Sequence, residues 1–305
     1  MLAYASMTAH WASHYTMRSL LFVPGDDERK IAKGLASAAD ALILDLEDAV
    51  GPQRKAAARE ICAQTLTAAG ARKTLFVRIN ALDTSEALLD LAAIVRARPF
   101  GVMLPKCRGG EDVRLVSHYL TALEAREGVP AGEIRVLPIV TETGAAMFGL
   151  SSYDKPPIPR LYGMLWGGED LAADVGAITN KDEDGRYAAP YQLARSLCLF
   201  AATAASVIAV DAVYTNFRDS EGLKKEAIAG LRSGFTAKAA IHPDQIGPIN
   251  DALTPSAADV EAARRVIAAF DAAPGAGVAS VDGKMLDRPH YRTAQRVLAR
   301  AQQER

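Results

Sequence analysis

The chain has 305 residues, of which 50% are hydrophobic and 23% are charged, and its 35 basic and 36 acidic residues give a formal net charge of -1. This composition is typical of a globular protein built as one large domain or two ordinary ones, and the near-neutral charge excludes a global attraction to nucleic acid or to an anionic membrane. Cys62, Cys107 and Cys198 are widely spaced and form no CxxC pair, which indicates the reduced thiols of a cytoplasmic protein.

The N-terminal segment, residues 1–17, is expected to be a disordered extension that leads into the first strand-like segment. Its first 16 residues contain no Lys or Arg and no continuous apolar core, so a secretion signal is not expected. The longest apolar run, the 15 uncharged residues 196–210, is shorter than the roughly 20 residues that span a bilayer. The pattern favours a cytoplasmic protein that starts at Met1 or at Met17.

Eight short apolar segments alternate with helical segments along most of the chain. They are MRSLLFVPG from Met17, residues 41–46, TLFVRIN from Thr74, FGVMLPK from Phe100, RVLPIV from Arg135, LYGMLWGG from Leu161, VIAVDAVYT from Val207 and AKAAIHP from Ala237. Such apolar runs, closed by Gly, Pro or charged residues, are typical of buried parallel strands. Their alternation with helices predicts βαβ units and a parallel sheet.

Several helices between these strands have recognisable first turns. Asp26 or Asp27 is expected to cap the helix after the first strand, and Pro52 suits the first turn of the helix after the second. Ser220 is expected to cap a helix that stops at Gly234.

The number of βα units decides between two folds. Eight units within about 250 residues predict a closed (β/α)8 TIM barrel, which we place at residues 18–250. A doubly wound open sheet is the alternative, but no GxGxxG motif follows the first strand. Residues 251–305 are predicted to form a C-terminal helical lid or tail, with a helix capped by Ser256, a hairpin at Asp282 and Gly283, and a final helix starting at Pro289.

Two carboxylates close neighbouring predicted strands at the end where TIM barrels carry their active sites. Glu142 follows the fifth apolar segment and Asp170 follows the sixth. If the strands are adjacent, their ends lie about 5 Å apart, and carboxylates at that distance share a proton or hold a cation. Mg²⁺ takes one or two carboxylates together with water and substrate oxygens, so we expect Glu142 and Asp170 to bind Mg²⁺. The sequence contains no cluster of His and Cys residues that would indicate a zinc site instead.

Arg78 follows the third strand and fits a bidentate clamp for a substrate carboxylate. Together with a metal ion that polarises a carbonyl group, it would select an anionic oxo acid. Structural alternatives exist for each of these residues. Glu142 and Asp170 could cap the helices that follow them, and Arg78 could pair with Asp45 or Glu47 at the barrel mouth.

Seven motifs occur in order along the chain. They are LDLEDAV (44–50), VRIN (77–80), VMLPK (102–106), ETGAA (142–146), GGEDLAADVG (167–176), VYTNFRD (213–219) and KAAIHPDQI (238–246). With them the chain resembles the HpcH/HpaI aldolase/citrate lyase family, and within it the citrate lyase β-subunit-like and malyl-CoA lyase branch. The resemblance runs from RSLLFVPG at Arg18 to the RTAQRVLARA helix near the C-terminus.

The resemblance implies a (β/α)8 barrel that assembles as a homotrimer or hexamer and binds Mg²⁺ on Glu142 and Asp170. It also implies that Arg78 holds the carboxylate of the oxo acid. The residues expected to bind the acyl-CoA or oxo-acid substrate are Arg78, Arg18, Phe22, Lys106 and Glu47. Further cations for the CoA phosphates are expected from Lys30 and Lys238.

The C-terminal segment GKMLDRPHYRTA carries a further expectation. In the malyl-CoA lyase branch a similar segment closes over the site of a neighbouring subunit, which makes Asp287 the candidate catalytic acid/base. Citrate lyase β-like proteins without this tail exist, so its presence favours the CoA-thioester lyases. HpaI-type aldolases have a histidine where this chain has Asp48, which argues against a free-acid aldolase with a histidine base. Asp48 is kept as a second catalytic candidate, or as a residue that only completes the turn before Pro52.

The resemblance therefore implies a Mg²⁺-dependent carbon–carbon lyase. Its substrate would be a 3-hydroxy-carboxyacyl-CoA of the malyl-, citramalyl- or citryl-CoA type, cleaved to acetyl-CoA or a homologue and a 2-oxo acid, or formed from them. Two alternatives remain: a class II aldolase acting on free hydroxy-oxo acids, and the β subunit of a citrate-lyase-like complex that is inactive alone. Neither nucleic acid nor a membrane is expected as a partner.

Overall fold

The structure is a computed structural model that describes residues 17–273, 275 and 277–301. Eight parallel strands form its centre, which are β1 (Ser19–Pro24), β2 (Ala41–Asp45), β3 (Thr74–Arg78), β4 (Gly101–Leu104), β5 (Arg135–Pro138), β6 (Gly163–Leu165), β7 (Ile208–Asp211) and β8 (Ala237–Ala240). All eight lie within segments that the apolar pattern predicts. Of the expected N-terminal extension, residues 1–16 lie outside the described residues, and Met17 is already buried inside the barrel.

The eight-stranded sheet closes on itself. Its regular pairing follows the order β5-β4-β3-β2-β1-β8-β7-β6, with β5 and β6 at the two ends. These ends meet through isolated parallel bridges between Val136 and Leu161 and between Ile139 and Leu165. In addition, the amide of Val140 donates a 2.8 Å hydrogen bond to the carbonyl of Leu165. The predicted (β/α)8 barrel is confirmed.

The strands are buried on both faces because their side chains point alternately into the barrel and out toward the helices. The inner core includes Leu20, Ile43, Phe76, Met103 and Leu137. A separate outer core between strands and helices includes residues such as Leu21, Leu42, Leu44, Leu75 and Val77. Burial of both faces explains why the strands read as continuous apolar runs rather than as alternating patterns.

Nine helices accompany the barrel strands in the described part of the chain. They are α1 (Glu28–Ala36), α2 (Lys55–Ala69), α3 (Glu86–Ile94), α4 (Gly110–Glu127), α5 (Gly144–Gly149), α6 (Gly168–Asp174), α7 (Ala189–Ala204), α8 (Ser220–Ser233) and α9 (Ile246–Leu253). Asp27 caps α1, and Pro52 opens a 3-10 turn directly before α2. Ser220 is not the cap of α8, because Asp219, one residue earlier, accepts a 2.8 Å hydrogen bond from the amide of Gly222.

The end of the barrel lies slightly later than predicted. The expected boundary after residue 250 falls inside α9, which packs against α8 and β1 as part of the helical layer. Asn250 is one of its anchors, because its side chain accepts a 2.7 Å hydrogen bond from Ser19 and donates a 2.9 Å bond to the Ala38 carbonyl. The appendage therefore starts after α9, not at residue 251.

The C-terminal appendage consists of α10 (Ala257–Asp271), a hairpin of β9 (Val278–Val281) and β10 (Lys284–Asp287), and α11 (Arg288–Ala301). Ser256 caps α10 in a capping box with Asp259. Asp282 and Gly283 both have left-handed backbone angles, φ 52° and 74°, which a tight two-residue hairpin turn requires. Within the described ranges, no helix combines the length and apolar character that a bilayer crossing requires.

Candidate active site

A cavity of about 440 Å³ opens at the carboxyl ends of the barrel strands. Its wall is built by the ends of β1, β2, β3 and β6, by the segments that follow β5, β7 and β8, and by the first turn of α6. The lining includes Phe22, Asp45, Asp48, Arg78, Ile139, Glu142, Leu165, Trp166, Glu169, Asp170, Tyr187, Val213 and Ile241. Phe22, Asp48, Arg78, Glu142 and Asp170 are among the predicted site residues, and the fold brings them to one cavity.

Glu142 lies between β5 and α5 and is 2% exposed. It does not cap α5, because the side chain of Thr143 accepts the capping hydrogen bond from the amide of Ala146 at 3.1 Å. One carboxylate oxygen of Glu142 accepts a hydrogen bond from the amide of Lys106. Burial, reinforced by the negative charge of Asp170, raises the pKa of Glu142 to about 8. Ionisation of both carboxylates together is therefore unfavourable without a positive charge beside them, and a bound cation would favour it.

Asp170 lies in the first turn of α6, next to Glu142. The cap position of α6 is Gly167, so Asp170 lies inside the helix and is not its cap. A Cβ atom on Gly167 would come within 2.7 Å of Cγ of Glu142. Glycine at this position therefore allows the segment after β6 to pass directly against Glu142, and this contact brings Asp170 to the same wall of the cavity.

Lys106 lies between the carboxylates at the cavity mouth and has a left-handed φ of 50°. Its ammonium group donates a 2.5 Å hydrogen bond to Glu47 and lies 3.6 Å from Asp48 and 3.8 Å from Asp170. Burial alone would lower the pKa of Lys106, but these carboxylates raise it above its usual value. Lys106 is therefore a fixed positive charge beside the acidic cluster, although it does not line the cavity itself.

Arg78 pairs with acids at the barrel mouth, as the structural alternative predicts. Nε and Nη2 donate hydrogen bonds of 2.7 and 2.6 Å to Asp45, and Nη1 lies 3.0 Å from Glu47. The guanidinium also lies 5.1 Å from the centre of the Phe22 ring. Asp45 accepts only two of its five N–H groups, and Arg78 lines the cavity. The ion pair therefore fixes its orientation without removing it from the site.

Glu47 is buried behind Arg78 and Lys106 and does not line the cavity. Its Oε2 atom accepts no hydrogen bond from the described residues, although it lies 3.0 Å from Arg78. Burial raises the pKa of Glu47 above its usual value. Asp48, by contrast, lines the cavity with a side chain that is 60% exposed. Of these two acids, Asp48 is the one placed to reach a substrate.

Two predicted substrate-binding cations lie elsewhere. Arg18 precedes β1 and thus lies at the opposite end of the barrel, where it bonds Asp40 and Thr254. The prediction that Arg18 lines the pocket is wrong for this reason. Lys238 is 1% exposed, and its ammonium donates hydrogen bonds of 2.7 and 2.8 Å to the Ala212 carbonyl and to Glu226, so it is not a surface cation for CoA phosphates.

Asp287 ends β10 in the appendage and does not line the cavity of its own chain. Its carboxylate lies 2.6 Å from Nδ1 of His290, and both side chains are about half exposed, at 55%. The hairpin contacts α10, and α11 packs along the same helix. A role for Asp287 at the site of a neighbouring subunit stays a prediction.

Sequence reasoning missed two aromatic residues of the cavity wall. Trp166 and Tyr187 both line the cavity, and their rings meet edge to face at 4.9 Å. The indole N–H of Trp166 donates a 2.7 Å hydrogen bond to Asp211, which also accepts two bonds from Arg195. The position of Trp166 directly before the GGED motif was the available signal.

The donor set at this site fits a hard divalent cation. Among the described residues there is no cluster of three or more His, Cys, Asp or Glu side chains that could enclose a metal ion. Glu142 and Asp170 offer two carboxylates instead, which is the set that Mg²⁺ completes with water and substrate oxygens. Burial and then the charge of Asp170 raise the pKa of Glu142, and a cation bound between the two carboxylates would oppose both effects.

Comparison with known proteins gives matches over nearly the whole chain. Residues 18–243 match the model of the HpcH/HpaI aldolase/citrate lyase family, and residues 187–303 match that of the C-C bond lyases of the TIM-barrel fold. A (3S)-malyl-CoA thioesterase of Cereibacter sphaeroides is 38% identical over 96% of this chain and 97% of its own. Citrate lyase subunit beta of Haemophilus influenzae is 35% identical over 93% and 96%, and mitochondrial citramalyl-CoA lyase of Mus musculus is 32% identical over 98% and 89%.

Solved structures agree with this assignment. The chain is similar to CitE from Mycobacterium tuberculosis in complex with magnesium, acetoacetate and coenzyme A, with 33% identity, a TM-score of 0.77 and coverage of 94% of this chain and 98% of that one. It is also similar to RipC from Yersinia pestis, with 30% identity, a TM-score of 0.65 and coverage of 81% and 99%. The chain therefore belongs to the HpcH/HpaI aldolase/citrate lyase family, a TIM-barrel family of carbon–carbon bond lyases.

Proposed function

We propose that this chain is a Mg²⁺-dependent lyase that cleaves or forms a 3-hydroxy-carboxyacyl-CoA thioester, with acetyl-CoA or a homologue and a 2-oxo acid as the other partners of the reaction. The observation that carries the proposal is the shared cavity wall on which Glu142, Asp170 and Arg78 lie together. The CitE complex with magnesium, acetoacetate and coenzyme A supports it, because that relative holds a metal ion, an oxo acid and CoA at once.

Each residue of the wall has a distinct task in this proposal. Glu142 and Asp170 would hold Mg²⁺, which when bound supplies positive charge to the oxygen atoms of the substrate. Arg78, oriented by Asp45, would bind the carboxylate next to the reacting carbon. The ring of Phe22 lies 5.1 Å from the guanidinium, a cation–π contact that would help to hold Arg78 in this position.

The cleavage step needs two proton transfers. A base removes the proton of the 3-hydroxyl group, the C2–C3 bond breaks, and its electron pair moves to C2 to give the thioester enolate. The oxygen at C3 becomes the keto group of the 2-oxo acid, and protonation of C2 completes the acyl-CoA. Asp48 on the cavity wall and Asp287 from a neighbouring copy are the candidates for these transfers, so a homotrimer or hexamer is part of the proposal.

A second candidate reaction is hydrolysis of the thioester. Relatives from four strains of Cereibacter sphaeroides, 37% to 38% identical over 297 residues, are named (3S)-malyl-CoA thioesterase. In that reaction water attacks the thioester carbonyl, the C–S bond breaks, and the products are the free hydroxy acid and the CoA thiol. The same cavity would hold the acyl group in both reactions, so only the products distinguish them.

The test measures both products separately. The purified oligomer is incubated with malyl-, methylmalyl-, citramalyl- and citryl-CoA, each with Mg²⁺ and with EDTA, while 2-oxo acid and free CoA thiol are assayed in parallel. A lyase releases 2-oxo acid without CoA thiol, whereas a thioesterase releases thiol without 2-oxo acid. Cleavage of free hydroxy-oxo acids alone indicates a class II aldolase. Activity that appears only with partner subunits indicates a citrate-lyase-like complex, and both of these outcomes contradict the proposal.

A further inference from the structure

The cavity wall carries many more acidic than basic side chains. Five carboxylates line the cavity, whereas Arg78 is the only basic side chain that lines it within the described part of the chain. Arg78 already carries a two-point ion pair with Asp45. A divalent ion on the site would neutralise part of the remaining negative charge and, with Arg78, provide for one substrate carboxylate. The five carboxylates are Asp45, Asp48, Glu142, Glu169 and Asp170.

Other cations near the cavity are held by acids of the protein. The ammonium group of Lys106 lies 2.5 Å from Glu47 and 3.8 Å from Asp170. Lys238 is fully buried and lies 2.8 Å from Glu226. The ammonium group of Lys181 lies 5.0 Å from the ring of Tyr187 on the cavity wall and 4.0 Å from Glu226. A second substrate carboxylate would therefore have to break one of these ion pairs or lie in the cavity without a cation. Both choices are costly for a carboxylate that leaves water.

The uncharged part of the wall is mostly apolar. An alkyl substituent placed there removes apolar surface from water, at about 0.8 kcal/mol for each CH₂ group. A carboxylate placed there loses hydration and gains no partner. The apolar wall consists mainly of Phe22, Ile139, Leu165, Val213 and Ile241.

We infer that the site accepts 3-hydroxy-3-carboxyacyl thioesters whose remaining substituent at C3 is hydrogen or a small alkyl group, and that it rejects those with a carboxymethyl group at C3. The substrates of malyl- and citramalyl-CoA type fall in the first class, and citryl-CoA falls in the second. The inference rests on the proposed function and specifies its substrate.

The first test compares kcat/KM for C–C cleavage of malyl-, citramalyl- and citryl-CoA by the intact oligomer with Mg²⁺. We expect citryl-CoA to be the poorest of the three by at least about tenfold, the range that one uncompensated charge produces. If citryl-CoA is cleaved as fast as the other two thioesters and releases oxaloacetate, the inference is wrong and the proposed function stands. If none of the three thioesters is cleaved, the proposed function itself is wrong.

A binding measurement decides the inference independently of turnover. 2-Oxobutyrate and oxaloacetate have similar size and differ in a methyl group against a carboxylate. We expect calorimetry with saturating Mg²⁺ to show tighter binding of 2-oxobutyrate. Tighter binding of oxaloacetate, after correction for its own chelation of Mg²⁺, contradicts the inference even if no thioester is turned over.

A variant tests the electrostatic cause. Ile241 lines the cavity, is 42% exposed and lies outside the residues assigned to the metal or to the oxo acid. Ile241→Lys adds the missing cation to the wall, and we expect it to raise kcat/KM for citryl-CoA relative to citramalyl-CoA by about tenfold. Ile241→Met, of similar volume and no charge, controls for the change of shape and should leave the ratio unchanged. An unchanged ratio in Ile241→Lys contradicts the inference.

Discussion

The ammonium group of Lys106 lies 3.8 Å from Oδ1 of Asp170, while the backbone amide of the same lysine donates a hydrogen bond to Glu142. One residue thus contacts both carboxylates of the proposed metal site, with its side chain on one and its main chain on the other. The left-handed φ of Lys106, 50°, makes this double contact possible, because it turns the chain sharply after β4. Lys106 and a bound cation would therefore interact with the same carboxylates.

Loss of the Lys106 charge should strengthen metal binding. We expect Lys106→Met to bind Mg²⁺ about three- to tenfold more tightly, because a competing positive charge is removed from the acidic cluster. Isothermal titration calorimetry on the substrate-free protein measures this directly. Lys106→Arg retains the charge and is the matched control. Equal or weaker Mg²⁺ binding by Lys106→Met would show that the lysine supports the site instead of competing with the metal ion.

Neutralising either proposed metal ligand should abolish metal binding. For Glu142→Gln and Asp170→Asn we expect Mg²⁺ affinity below the calorimetric range and lyase activity lowered at least about 100-fold. Glu169→Gln makes the same change of charge one residue from Asp170, at a side chain that accepts a hydrogen bond from Asn180 at 2.7 Å. Its Mg²⁺ affinity should fall far less. Equal losses in all three variants would indicate a general electrostatic effect and not two specific ligands.

The role of Asp287 can be tested by mixing subunits. We expect Asp287→Asn to lower activity about 100-fold or more, as loss of a general acid or base does. If Asp287 acts on a neighbouring site, oligomers co-assembled from Asp287→Asn and Glu142→Gln subunits should regain measurable activity, because some sites combine two intact halves. Asp282→Asn, in the turn of the same hairpin, is the control and should behave like the wild type. Mixed oligomers without any recovered activity would refute a contribution from the neighbour.

Asp211 should make the stability of the barrel depend on pH. Burial alone would raise its pKa, but Lys238, Arg195 and Trp166 hold it below the ordinary value of 3.8. Because the folded pKa lies below the unfolded one, the ionised group stabilises the fold above the unfolded pKa, and this contribution is lost as pH falls through the folded value. The free energy of unfolding should therefore decrease below about pH 5.

The matched variant for this effect is Asp211→Asn. It removes the carboxylate partner of the half-buried Arg195 and one of the two carboxylate partners of the buried Lys238, so we expect about 3 kcal/mol of destabilisation at neutral pH. The difference between wild type and variant should shrink as the pH is lowered toward 3, as measured by urea denaturation at a series of pH values. A difference that stays constant with pH would assign the loss to packing and not to the charge of Asp211.

The barrel could be predicted because its strands are apolar on both faces, whereas the ends of the strands could not. The fifth segment was predicted to continue to Val140 and the seventh to Thr215, but β5 ends at Pro138 and β7 at Asp211. Beyond β5, Ile139 and Val140 are buried but meet Leu165 of β6 only through isolated contacts. Beyond β7, Ala212 is buried and the next two residues are half-buried, so packing at the barrel mouth gives both segments a strand-like composition.

The location of candidate site residues was predictable where a motif fixes a residue at the carboxyl end of a strand, as for Glu142, Asp170 and Arg78, which share one cavity wall. The prediction for Arg18 was wrong because this residue precedes β1 and therefore lies at the other end of the barrel. The prediction that Lys238 binds CoA phosphates was wrong for a different reason. Its burial depends on Asp211 and Glu226, which come from elements distant in sequence, and a single charged residue within a strand does not reveal such partners.

The barrel is joined least regularly where β5 meets β6, and Glu142 and Asp170 follow these two strands. A cation bound by both carboxylates would therefore link the β5 and β6 edges of the sheet at a point beyond their last backbone bridge. Closure of the barrel and binding of the ion would then be coupled. The free energy of unfolding would rise with the logarithm of the ion concentration, and resistance to heat and to proteases would rise with it. In a cell, the supply of the ion would then govern how long the folded enzyme persists as well as how fast it works.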